Sequence, residues 1–145
     1  MSRGRASVPV HSILVPVDGS ASSGRAVRIA AEMARAFGAE LTLLHVVPLA
    51  QFPALIAETD ESRETDEAQL LLAEETKLAR SLGTQPLAKI RRGRVADQIL
   101  RYAAAHPPDL IVMGTRGLTG AKSVLLGSVS KAISSRAKAQ VVLIR

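Results

Sequence analysis

Two nearly unbroken runs of branched apolar residues, Ser12 to Val17 and Glu40 to Val47, set the pattern of the chain. Such runs predict strands covered on both faces, because a strand inside a parallel sheet has no solvent side. Leu87 to Arg91, Asp109 to Met113 and Gln140 to Ile144 are three further strand candidates. The intervals between them carry a helical period. Val27, Ala30, Ala31, Ala34 and Phe37 recur at three- and four-residue steps after Ser20 or Ser22, either of which can cap a helix, and Gly38 stands where a left-handed residue ends one. A second helix is expected from about Asp60 to Leu82, capped by Thr59, stopped by Gly83 and buried along Ala68, Leu71, Leu72, Leu78, Ala79 and Leu82. Arg94 to His106, halted by Pro107 and Pro108, and Ser128 to Ala137 supply a third and a fourth. The alternation βαβαβαβαβ predicts an α/β fold, a single five-stranded parallel sheet with helices on both faces.

At 145 residues, the chain has the size of one domain, expected to span 12–145 behind a short flexible tail at 1–11. That tail carries Arg3 and Arg5 but no apolar core of a signal peptide, and no apolar stretch is long enough for a membrane span. There is no cysteine, which excludes disulfides, thiolate catalysis and cysteine-based zinc sites, and a cytoplasmic protein is the expectation. The segment 51–57, with Pro53, Phe52, Leu55 and Ile56, reads as a loop beside the expected ligand crevice, placed to act as a lid.

Charge is unevenly spread. Glu58 to Glu75 holds eight of the 13 acids and one of the 19 bases, Arg63, so the remainder of the chain is strongly basic. The acids on the first turns of the second predicted helix complement its dipole, which gives the acidic cluster a structural explanation. The basic remainder suits polyanionic ligands without choosing among them. Arg91, Arg92 and Arg94 cluster near the third strand's end, but no interleaved aromatics accompany them, so nucleic-acid binding ranks last.

The chemistry lies after the fourth strand. Gly114, Gly117 and the pair Gly127-Ser128 follow the run Asp109 to Met113 with two and then nine residues between glycines. Glycines at a strand-to-helix corner take positive φ and let backbone amides approach a phosphate, and Ser128 would open a helix whose positive end favours an anion. A P-loop is excluded because Lys122-Ser123 follows Ala121 rather than glycine, and a dinucleotide fingerprint because the glycines follow a late strand.

Ile13 to Ser20, Leu43 to Val47, Asp109 to Gly117, Leu126 to Val129 and Val141 to Ile144 together resemble the universal stress protein family, over nearly the whole chain from Ser12. The complete glycine motif resembles that of its ATP-binding members. The resemblance implies a strand order 3-2-1-4-5 and an ATP site at the carboxyl ends of the strands. Gly114, Gly117, Gly127 and Ser128 would then hold phosphates and ribose, and Asp18 would contact ribose or a phosphate-bound Mg²⁺. Val46 would offer backbone groups to adenine, in a pocket lined by Pro16 and Met113. Arg116 and Lys122, within the glycine loop, are candidates to neutralise phosphate charge and Lys131 a weaker one; Arg116 is expected at the nucleotide, while for the two lysines phosphate contact and plain solvation stand about even. The resemblance also implies a homodimer through the last strand, Val141 to Ile144, although Gln140 stands where members often have proline.

Binding rather than catalysis is the expectation, with nucleotide occupancy altering conformation or dimer contacts; the alternative is a slow ATPase or autophosphorylating protein using Ser20, Ser123 or Ser128. Neither a His-x-Gly-His nor a Ser-Gly-Gly-x-Asp-Ser signature of adenylate-transferring relatives is present. His45, between Leu44 and Val46, reads as a residue packed in or beside the sheet in preference to a general base.

Overall fold

A computed structural model describes residues 10–48, 58–115 and 127–145, with side chains of 58–64 outside that set. Most of the expected tail, the loop at 51–57, and Arg116, Gly117, Lys122 and Ser123 lie outside the described residues.

The strands are β1 (Ser12–Pro16), β2 (Glu40–Pro48), β3 (Leu87–Gly93), β4 (Leu110–Gly114) and β5 (Gln140–Ile144). They alternate with α1 (Ala21–Phe37), α2 (Glu58–Ser81), α3 (Val95–Ala105) and α4 (Ser128–Arg136). All four pairings are parallel and the order is β3-β2-β1-β4-β5. The chain therefore steps outward from β1 to β3, then crosses back to β4 on the other side of β1. Where the direction reverses, the loops after β1 and β4 leave the sheet on opposite faces and open a crevice between them.

Strand residues alternate between two cores, as a period of two requires. Ile13, Val15, Leu41, Leu43 and Val112 pack with Ala26, Val27, Ala30 and Ala31 of α1 and with Leu72 and Ala79 of α2. Leu14, Leu44, Val46, Ile111 and Met113 face Ile99 and Tyr102 of α3 and Ile133 of α4. With water excluded from both faces, the near-continuous apolar runs of the central strands are explained.

Local signals place the helix ends. Ser20 is the N-cap of α1, its Oγ accepting from Ser23 N–H at 3.2 Å, and Gly38 closes that helix at φ 67°. Thr59 does not cap α2, because the helix already includes Glu58. Phe37 is 52% exposed rather than buried, since it lies on the last turn of α1 just before the chain leaves for β2. Within α2, Ala68, Leu72 and Ala79 are buried as the stripe predicts, and Leu71, Leu78 and Leu82 pack partly against the same core.

Candidate functional site

The β1–α1 turn is built by Asp18, Gly19 and the serines of α1. Asp18 Oδ1 accepts from Ser20 N–H at 2.9 Å, and Asp18 N–H donates to Ser23 Oγ at 3.2 Å. Gly19 adopts φ 80°, and it is this turn that requires glycine; a Cβ there would sit 2.9 Å from Leu71 Cδ1, the end of a side chain that can turn aside. Asp18 is thereby held at the carboxyl end of β1.

On the other side of the crevice, Thr115 follows β4 and Gly127 precedes α4. Gly127 is the N-cap of α4 and offers no side chain to it, so the amides of Ser128, Val129 and Ser130 precede the first helical rung, Lys131 N–H to Gly127 O at 3.0 Å. No acid occupies this first turn. The N-terminus of α1 is closed by Ser20; that of α4 is open and carries the positive end of its dipole into the crevice. Ser130 is buried and donates to Gly127 O at 3.1 Å, which stiffens the turn.

Between these walls lies a crevice of about 690 Å³, within the usual range for a small-molecule site. Pro16, Asp18, Val46, Met113, Gly114, Gly127 and Ser128 all line it, and Lys131 is not among the lining residues. Val95 and Ile99 add an apolar floor from α3, and Ala68 and Leu71 a wall from α2. Glu67, His45 and Thr115 also line it; Glu67 and Thr115 carry no local sequence signal, because only the packing of α2 and the closure of the loop bring them there.

The glycine cradle differs in its physical basis from the sequence expectation. Among the described residues, positive φ is confined to Gly19, Gly38, Gly83 and Gly93, so neither Gly114 nor Gly127 uses it. At Gly114, a Cβ would fall 2.4 Å from Ser22 Oγ and 2.8 Å from Ser22 C and Ser23 N. Glycine there lets β4 approach the first turn of α1. Gly127, at φ −64°, leaves its helix uncapped.

Among the described residues, the carboxylates facing the crevice are Asp18 and Glu67; nearby on α2, Glu75 is pushed above the ordinary glutamate range, first by burial and then by the charges of Asp18 and Glu74. No group of three His, Asp or Glu able to hold a metal unaided occurs among the described residues. No helix among them is long and apolar enough to cross a membrane.

An open parallel sheet of order 3-2-1-4-5, with its crevice at the reversal and an uncapped helix N-terminus on one wall, defines a doubly wound α/β protein of the Rossmann-like class. The model of the universal stress protein family matches residues 9–145, and the chain belongs to that family. It is 33% identical over 137 residues to a universal stress protein of Methanocaldococcus jannaschii, covering 92% of this chain and 81% of the relative. A relative from Thermus aquaticus is 36% identical over 140 residues, covering 92% and 98%. Among solved structures, the universal stress protein UspA of Lactobacillus plantarum superposes with a TM-score of 0.83 at 30% identity, covering 94% of this chain and 98% of that one. A universal stress protein solved in complex with cAMP superposes with a TM-score of 0.76 at 25% identity, covering 94% and 98%.

Proposed function

We propose that the crevice binds ATP and that its occupancy alters the protein's conformation or its contacts with a second copy. The observation that carries this reading is the uncapped N-terminus of α4, opening at the reversal of strand order onto a crevice with an apolar floor. Amides of Ser128, Val129 and Ser130 suit a phosphate. Pro16, Val46 and Met113 suit a flat apolar base, and Asp18 a ribose hydroxyl. The cAMP complex of a relative supports an adenine nucleotide as the ligand class. Gly117 and Arg116, between Thr115 and Gly127 in sequence, are proposed to complete the phosphate contacts.

Mg²⁺ fits this site as a companion of the phosphates rather than a resident ion. Among the described residues two carboxylates line the crevice, too few for an all-protein site, so oxygens of the nucleotide would complete the coordination, with Asp18 as the protein ligand. Self-association through β5 fits as well: beyond β5 the sheet order leaves an open edge, with Val141 to Ile144 only partly buried. We place such a homodimer in the cytoplasm.

Mass spectrometry of protein released from its native purified state tests the reading by showing whether a nucleotide travels with it. Thermal denaturation with ATP, ADP, AMP and cAMP ranks the ligands, since one selective for the folded state raises its stability. Absence of any shift with all four, in protein shown to be nucleotide-free, overturns the assignment. Phosphate release in the same samples tests slow hydrolysis.

A further inference from the structure

We propose that His45 is a positioning residue for the nucleotide: its imidazole holds the Val17–Asp18 peptide and so aims Asp18 into the crevice. This rests on the reading of the crevice given above. Val17 marks where the chain leaves the sheet. Its N–H still donates to Leu44 O at 2.9 Å, but β1 ends at Pro16 and the register of β1 on β2 stops at the pair Pro16 and Leu44. The Val17 carbonyl is met instead by a side chain, His45 Nδ1 at 2.8 Å. A carbonyl oxygen only accepts, so Nδ1 carries the proton.

The same peptide unit is held at its other end. Its N–H, that of Asp18, donates to Ser23 Oγ at 3.2 Å. One peptide plane is thus clamped from β2 on its oxygen side and from α1 on its hydrogen side. The next bond along the chain carries the Asp18 side chain, and both Asp18 and His45 line the crevice. Without the imidazole, the Val17 carbonyl is free to rotate toward water, and the N–H opposite must rotate with it, because the peptide is planar. His45 therefore acts on the ligand through Asp18.

The test uses the full chain and three substitutions of His45. Asparagine places its amide nitrogen where Nδ1 stands and keeps the donor; glutamine places it one atom further out; leucine removes it. In ligand-free protein, amide hydrogen exchange at Asp18 is expected to quicken about five- to thirtyfold in His45→Leu and to stay near the parent rate in His45→Asn, the loss of one hydrogen bond being of that order. Equal exchange in all variants overturns the inference whether or not nucleotide binds. With nucleotide, the parent's preference for ATP over 2′,3′-dideoxy-ATP is expected to fall in His45→Leu as far as in Asp18→Ala, with no further fall in the double variant. A preference retained in His45→Leu, or independent losses that add, overturns it. Should His45→Leu fail to fold, His45→Asn against His45→Gln decides: the preference is kept in the first and reduced in the second. A parent that binds no nucleotide overturns the proposed function instead, and the exchange result still decides the clamp.

Discussion

The amide of Gly127 donates to the carbonyl of Thr115 across 2.9 Å, closing the neck of the loop that runs between them. Thr115 donates its own amide to Ile144 O at 2.8 Å, and Ser130 Oγ reaches Thr115 O at 3.4 Å. One residue therefore ties the first turn of α4 to the end of β5. The neck positions the α4 N-terminus without using its leading amides, which is what an anion site requires.

Gly127→Ser separates that role from folding. The backbone at φ −64° accepts serine, and its Cβ would sit 3.2 Å from Thr115 O, a contact relieved by a few tenths of an ångström. A serine cap exceeds glycine by only a few tenths of a kcal/mol, so ligand-free stability stays close to the parent's. The hydroxyl now competes with phosphate for the same amides. The ATP-dependent rise in Tm is expected to shrink markedly; a full rise would remove α4 from the phosphate site.

Gly114→Ala is expected to destabilise the protein by about 1–3 kcal/mol, the usual cost of overpacking, because the new methyl meets backbone atoms of Ser22 and Ser23 at 2.8 Å. Gly24→Ala, inside α1 with nothing within 4 Å of its Cβ, should instead gain about 0.5–1 kcal/mol. Urea titrations of the two variants check both signs. If both prove neutral, the close approach of β4 to α1 is not as described.

How much of this is legible in the sequence depends on how local each signal is. Strands and helix stops are local: the run Leu41 to Leu44 has no polar side, and Gly38 follows its helix directly, so both could be read from spacing. Phe37 continues the stripe of α1 in sequence, yet burial also needs a surface opposite, which the last turn lacks. In the crevice, Gly127 could be placed from the glycine motif, whereas Asp18, Val46 and Met113 are placed by the family resemblance, with which their positions at strand ends agree. The clamp of His45 on Val17 and the contact of Gly114 with Ser22 join elements far apart in sequence, and no local pattern encodes either. The glycines of the motif were legible as glycines, but not the reason for them.

Asp109 ties the start of β1 to the start of β4. Its Oδ2 accepts from His11 N–H at 2.7 Å and from Ser12 N–H at 3.1 Å. The His11 amide does most to hold its carboxyl below the ordinary aspartate range. A depressed folded value means the folded state binds fewer protons, so the contribution is complete above the unfolded value and is lost as pH falls through the folded one. Asp109→Ala should lower Tm at neutral pH, with the gap to the parent narrowing in acid. A gap independent of pH would contradict the charge-assisted clip.

Glu75 behaves with the opposite sign. Burial, then Asp18 and Glu74, raise its pKa, so the folded state holds the proton more tightly than the unfolded chain. Stability from this group is gained as pH falls through the raised value and is absent at neutral pH, where the ionised carboxylate is a liability. Glu75→Gln is expected to raise Tm at neutral pH, with the advantage fading on acidification through the glutamate range. Thermal scans across that range check it, and a constant advantage would point to packing instead.

The edge of β5 offers a test of self-association. Within a strand, the N–H and C=O of one residue point to the same side and alternate along the chain. Ile144 O accepts from Thr115 N–H, so Ile144 and Val142 turn their backbone groups toward β4 while Val141 and Leu143 turn theirs outward. Val141→Pro therefore removes an outward donor and leaves the β4 ladder intact, as proline on an edge strand permits. Sedimentation velocity should show the parent as a dimer and this variant as a monomer. Because Ile144 and Gly127 both bond to Thr115, the proposed dimer seam and the crevice would share an anchor, and any coupling between them would be reciprocal. If ATP at saturation tightens the parent dimer by some factor, the monomeric variant should bind ATP more weakly by about the square root of that factor, since a dimer holds two sites. A dimer constant that ATP leaves unchanged would sink the coupling, and equal ATP affinity in the two proteins beside a changed dimer constant would show that Val141→Pro does more than dissociate the dimer.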